Sequence, residues 1–174
     1  SQEAVVTELV DDVLPLPAGL FDPENTRLLA VVHDAVEETE HAASALRNLA
    51  GNLDRARGGS PDTASAAREH AGAAFYQVID ERFPRWLASL DEADPIRARD
   101  QWRRLLRSEA WGQQEALASA VPDTAFAGRG EGKGRMDVGK ALFFFRRALN
   151  VAVPAPAQQD SSAENNKNEE RTPA

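Results

Sequence analysis

The chain has 174 residues, enough for one domain with a substantial core, and no cysteine, which excludes disulfides and thiolate metal sites and fits a reducing, cytoplasmic setting. Its formal net charge of −8 argues against a simple nucleic-acid binder, yet the charge is uneven: −7 over residues 1–59, +1 over 60–153 and −2 over 154–174. The longest strongly apolar block is Ala141 to Phe145, far short of the ~20 residues that span a bilayer, so no membrane segment is expected. Nothing at the amino end reads as a signal peptide, and the opening Ser points to upstream sequence that is missing.

Residues 1–22 read as an extended lead-in from an upstream domain: the apolar pattern is mixed, and Leu14-Pro15-Leu16-Pro17 cannot continue a helix. Asp22-Pro23 then supplies a cap and a first-turn proline for a helix running to about Ala56. Its inner seam is Leu28, Val32, Val36, Ala43, Leu46, Ala50 and Leu53. Gly58-Gly59-Ser60-Pro61 stops it and starts a second helix, Asp62 to about Leu90. That helix is alanine-rich first and aromatic later (Phe75, Ile79, Phe83, Trp86, Leu87, Leu90), and Pro84 predicts a kink or break.

Asp94-Pro95 opens a third helix reaching about Ala120. It turns Trp102, Leu105 and Leu106 inward and stacks Arg99, Arg103 and Arg107 on one outer face, since residues four apart are neighbours. Gly128-Arg-Gly-Glu-Gly-Lys-Gly-Arg135 predicts a mobile, positive loop. A fourth helix, Met136 to about Val153, directs Val138, Leu142, Phe145 and Leu149 inward. From Pro154 the composition predicts a disordered tail, residues 154–174. The fold class is therefore all-α, a four-helix bundle over residues 23–153.

Arginine supplies the permanent charge and forked donors that phosphates require. The candidate nucleic-acid contacts are Arg82 and Arg85 beside the aromatic stripe, Arg99, Arg103 and Arg107 on the third helix, and Lys140, Arg146 and Arg147 on the fourth. The plain alternative is a solvated face whose arginines pair with nearby acids such as Asp100. With Phe145 inward, successive turns of about 100° bring Phe143 or Phe144 near the surface, as a partner contact or under a covering loop.

Glu38-Thr-Glu-His41 has the Glu-x-x-His form used by di-iron bundles, but no second copy exists. His33, Glu37 and His41 recur at helical spacing, so a surface metal could bridge a pair, a pattern that chance also produces; no metal or cofactor is assigned. His70 is lone, and a surface or capping role suits it. The glycine loop fails the phosphate-loop pattern because Gly134 follows Gly132-Lys133 where Ser or Thr is required, and Ala127 replaces a glycine. No Ser-His-Asp or paired-carboxylate set stands out, so catalysis is not expected.

Several of these features together resemble the CasA family, the large subunit of the type I-E CRISPR complex Cascade. They are Gln2-Glu-Ala-Val-Val, Asp12-Val-Leu-Pro-Leu-Pro17 and the long Ala/Leu helix. Phe75-Tyr76, Phe83, Trp86-Leu87, Trp102 with Leu105-Leu106 and the aromatic, basic last helix complete the set. The resemblance covers residues 4–153 and the carboxy-terminal part of that family, and its motifs are diffuse. It implies a four-helix bundle that scaffolds an RNA-guided complex, contacts the small-subunit dimer and other Cascade subunits, and helps hold target DNA during strand opening in antiviral defence. The amino-terminal domain that reads the motif adjacent to the target has no counterpart in these residues, so motif reading is not implied. The competing readings are a helical protein–protein interaction module without nucleic-acid binding and a ferritin-like metal oxidase.

Overall fold

The computed structural model describes residues 26–120 and 137–156. Those residues form α1 (Thr26–Ala56), α2 (Pro61–Ala88), α3 (Pro95–Ser119) and α4 (Val138–Ala152), with no strand among them. The lead-in with its Asp22-Pro23 start, the glycine loop with Arg129, Lys133 and Arg135, and the tail from residue 157 lie outside the described residues.

Three of the helix starts have a side-chain cap. Ser60 Oγ accepts from Thr63 N at 3.4 Å, Asp94 Oδ1 from Arg97 N at 3.1 Å, and Asp137 Oδ1 from Gly139 N at 3.0 Å. Pro61 and Pro95 follow two of these caps, in the first turn where a missing N–H costs nothing. The α1–α2 turn depends on Gly58, whose φ of 91° is left-handed, and on buried Asp54. The Asp54 carboxylate accepts from Thr63 Oγ1 at 2.7 Å and Arg57 Nη2 at 3.1 Å.

The helices run alternately up and down. Trp86 of α2 reaches Ala98 of α3, Arg107 of α3 reaches Val153 at the end of α4, and Asn48 and Ala141 line one groove between α1 and α4. α1 is the hub of the packing: α2, α3 and α4 each lie along it, α2 and α3 touch far less, and α3 meets α4 mainly through side chains such as Arg107 and Arg146. α1 is thus surrounded, and its small residues (Ala35, Ala42, Ala43, Ala45, Ala50, Gly51) are all buried, which lets three neighbours approach.

The expected seams hold with two shifts. Val36 and Leu142 are only half-buried, and the alanines just before them, Ala35 and Ala141, are buried instead. Leu105 is also half-buried, beside fully buried Trp102 and Leu106. The break expected at Pro84 does not occur, because α2 continues to Ala88. Proline there removes one hydrogen bond, its own N–H to the carbonyl of Asp80, and the rest of the helix carries on through it.

Glycine in the interior of α3 is a local weakness. Gly112 is exposed, and an added Cβ would meet nothing within 4 Å. Gly112→Ala is expected to raise the unfolding free energy by about 1 kcal/mol in urea titrations, by removing backbone freedom from the unfolded chain. A loss of stability would contradict this account of α3.

Candidate functional site

The seam between α1 and α3 is polar at its centre and closed to solvent. Trp102 Nε1 donates to Ala35 O at 3.2 Å and Thr39 Oγ1 at 3.1 Å, while Thr39 Oγ1 donates to Ala35 O at 2.6 Å. The Trp102 ring packs with Trp86 at 5.0 Å and edge-on to Phe83 at 5.4 Å, and Trp86 Nε1 donates to Ala98 O at 2.8 Å. Both indole N–H groups are therefore satisfied inside the core.

The next residue changes the reading of the arginine strip. Arg103 Nε donates to both Glu38 oxygens at 2.9 and 3.1 Å, and Nη2 donates to Oε1 at 2.6 Å. The two side chains keep only 17% and 11% of their surface, and the hydrogen bonds that Arg103 donates to Glu38 push the Arg103 pKa still higher, against the opposing effect of burial. Arg107 donates Nη1 to Val153 O at 2.6 Å and Nη2 to Asn150 Oδ1 at 3.0 Å, tying down the end of α4. Arg99 is half-buried, with its Nε closed off from solvent. The strip is not one outer face: Arg103 and Arg107 serve as ties between helices.

The remaining candidates fall into two groups, one on α2 and one on α4. Arg82 and Arg85 are exposed on the last turns of α2, near exposed Arg97 at the start of α3. Lys140, Arg146 and Arg147 are exposed on α4, which carries no acidic side chain from Val138 to Ala152. The structure does not bring all eight sequence candidates together.

Phe143 and Phe144 are both at the surface, 59% and 49% exposed, with their rings edge-to-face at 5.8 Å. Phe144 looks along a groove between α1 and α4 of about 690 Å³, shared with His41, Asn48, Arg147 and Val151. Phe143 does not line that groove, and Arg146 extends toward α3, its guanidinium 5.2 Å from the Trp111 ring centroid. Trp111, 42% exposed, escaped the sequence reading. The available signal was its position one residue past the buried Ala98–Trp102–Leu106–Ala110 ridge, a turn of about 100° from the core.

On the opposite flank, Arg47 stands 5.9 Å over the Tyr76 ring. Burial and a hydrogen bond with Glu40 push the Tyr76 pKa up to about 12. Tyr76 is the chain's single tyrosine, so absorbance at 295 nm should titrate near pH 12 when folded and near 10 in denaturant. The native state holds the proton more tightly, so stability is lost as pH rises from 10 toward 12. A folded midpoint at 10 would contradict this packing.

The metal readings find little support in the geometry. The Glu-x-x-His carboxylate, Glu38, is committed to Arg103, and His41 points to the α4 groove. His33, Asp34 and Glu37 place ligand atoms within 4.8 Å of one another on the half-exposed surface of α1, with His33 Nδ1 4.0 Å from Glu37 Oε2. None of the described helices is long and apolar enough to cross a membrane.

Comparison with known proteins follows the fold. The family model for CRISPR-associated protein Cse1 matches residues 1–113. A curated relative, CRISPR-associated protein CasA/Cse1 of Thermus thermophilus, is 30% identical over 126 residues, which is 64% of this chain and 24% of the relative. The chain thus spans about a quarter of that relative's length. No solved structure matches the chain. The family model extends over more than half of the residues, so the chain belongs to the CRISPR-associated Cse1/CasA family.

Proposed function

We propose that this bundle is a non-catalytic scaffold domain of the large subunit of a type I-E CRISPR surveillance complex, Cascade, working in the cytoplasm. It contacts the small-subunit dimer and holds target DNA while the guide RNA pairs with it. Family membership supports the complex, and the observation that carries the DNA role is α4, a helix with three exposed cations and no acid in a chain of net charge −8. Such a helix concentrates positive potential where the rest of the surface repels a polyanion. The apolar groove beside Phe144 suits a protein partner, since aromatic and arginine side chains are enriched at interfaces.

One observation favours the alternative of a helical interaction module without nucleic-acid binding: Arg103 and Arg107 are used within the chain. Co-purification with the Cascade small subunit, with and without target DNA across a salt series, separates the two readings. A complex strengthened by DNA and weakened by salt is the expected result. A salt-insensitive complex indifferent to DNA would favour the module, and no association at any salt would contradict the scaffold reading.

A further inference from the structure

α4 is attached differently from the other helices. The stacked rings at the centre of the bundle, Phe83, Trp86 and Trp102, come from α2 and α3 and are tied to α1 through Trp102; none comes from α4. α4 spans 15 residues and buries Val138, Ala141, Phe145 and Leu149, with Val153 just past its end. Its seam with α1 is incompletely closed: recesses of about 690 and 240 Å³ open along it, both bordered by Ala45, Asn48, Phe144 and Ala148. Toward α3 its ties are mainly side-chain ones. Arg107 holds Val153 O and Asn150 Oδ1, and Arg146 reaches Gln114 Oε1 at 3.4 Å and the Trp111 ring. Arg107 is the firmest of these, since a guanidinium on a terminal carbonyl also meets the negative end of the helix dipole.

We propose that α4 opens from α1 as a unit while α1, α2 and α3 stay packed, that Arg107 is its latch, and that the movement regulates how many cations the bundle presents. Openings of this kind follow cooperative units that bury little apolar surface, and α4 is the helix with the fewest ties to the common core. When α4 is closed, Arg107 and Arg146 are engaged between α3 and α4. When it opens, both guanidinium groups are released and phosphates can take the place of Val153 O and Gln114. A polyanion with higher affinity for the released groups shifts the population toward the open form. Only this last link rests on the DNA-holding reading above; the movement and its latch do not.

The test is native-state hydrogen exchange of the full chain, read by mass spectrometry on peptides from each helix. A helix as short as α4 is marginal in water once detached, so its amides exchange while it is open. Residues 142–152 are expected to exchange together, and roughly a hundredfold faster than α1 around Leu46 or α3 around Trp102. Arg107→Ala is expected to speed exchange in α4 about tenfold and to leave α2 unchanged. Arg107→Lys, which reaches one acceptor but not both, should fall between. Exchange of α4 in step with α1 and α3, or an Arg107→Ala effect spread equally over all four helices, overturns the proposal. A duplex of about 20 base pairs at low salt is expected to speed exchange in α4 further. If the unit and its latch appear and the duplex changes nothing, the movement stands and its link to DNA is overturned.

Discussion

Replacing Trp102 with alanine is expected to cost about 4 kcal/mol of folding stability, the largest loss of any single substitution in α3. The side chain is 1% exposed and fills the space where α1, α2 and α3 meet. Its removal leaves a cavity against Trp86 and Phe83 and ends two hydrogen bonds to α1. Trp102→Phe separates these effects, because it keeps most of the ring and loses only the N–H. Thr39 Oγ1 still donates to Ala35 O, so neither acceptor group is left isolated and the cost should be about 1–2 kcal/mol. Urea unfolding followed by tryptophan fluorescence measures both variants. A Trp102→Ala protein within ~1 kcal/mol of the parent would contradict the described core.

The second large effect concerns Glu38 and Arg103. Glu38→Ala is expected to destabilise by about 3 kcal/mol, because it leaves a mostly buried guanidinium without its forked partner. Arg103→Ala should cost a similar amount through the stranded carboxylate. The double variant Glu38→Leu with Arg103→Met removes both charges and fills the space, and should recover to near the parent's stability. That pattern, two damaging single changes and a tolerated pair, marks an internal tie. If each single change left stability untouched but weakened nucleic-acid binding, Arg103 would belong to an exposed strip instead.

This pair also marks the limit of what the sequence made legible. Helix starts at Pro61 and Pro95 were readable because a capping side chain and a first-turn proline act locally. The burial of Phe75, Ile79, Trp86 and Trp102 followed from helical periodicity. Arg103 did not follow, since its partner lies 65 residues away on α1 and linear spacing points to Asp100 instead. The shifts from Val36 to Ala35 and from Leu142 to Ala141 have a related cause: alanine permits the closest helix approach, which a hydrophobic count undervalues. Periodicity brought one of Phe143 and Phe144 to the surface, whereas both are exposed. The groove beside Phe144 depends on how α1 and α4 sit together, and the Arg146–Trp111 contact depends on α3 and α4.

Two pairs of exposed candidate cations therefore remain, Arg82 with Arg85 on α2 and Lys140 with Arg147 on α4. The most direct measurement is the affinity for target DNA of a Cascade complex whose large subunit carries this bundle with those four residues changed to glutamate. Binding should weaken at least tenfold, and the slope of log affinity against log salt should become shallower by about 0.7–0.9 for each phosphate contact removed. Unchanged affinity and an unchanged salt slope in an intact complex would contradict the claim that the bundle holds DNA.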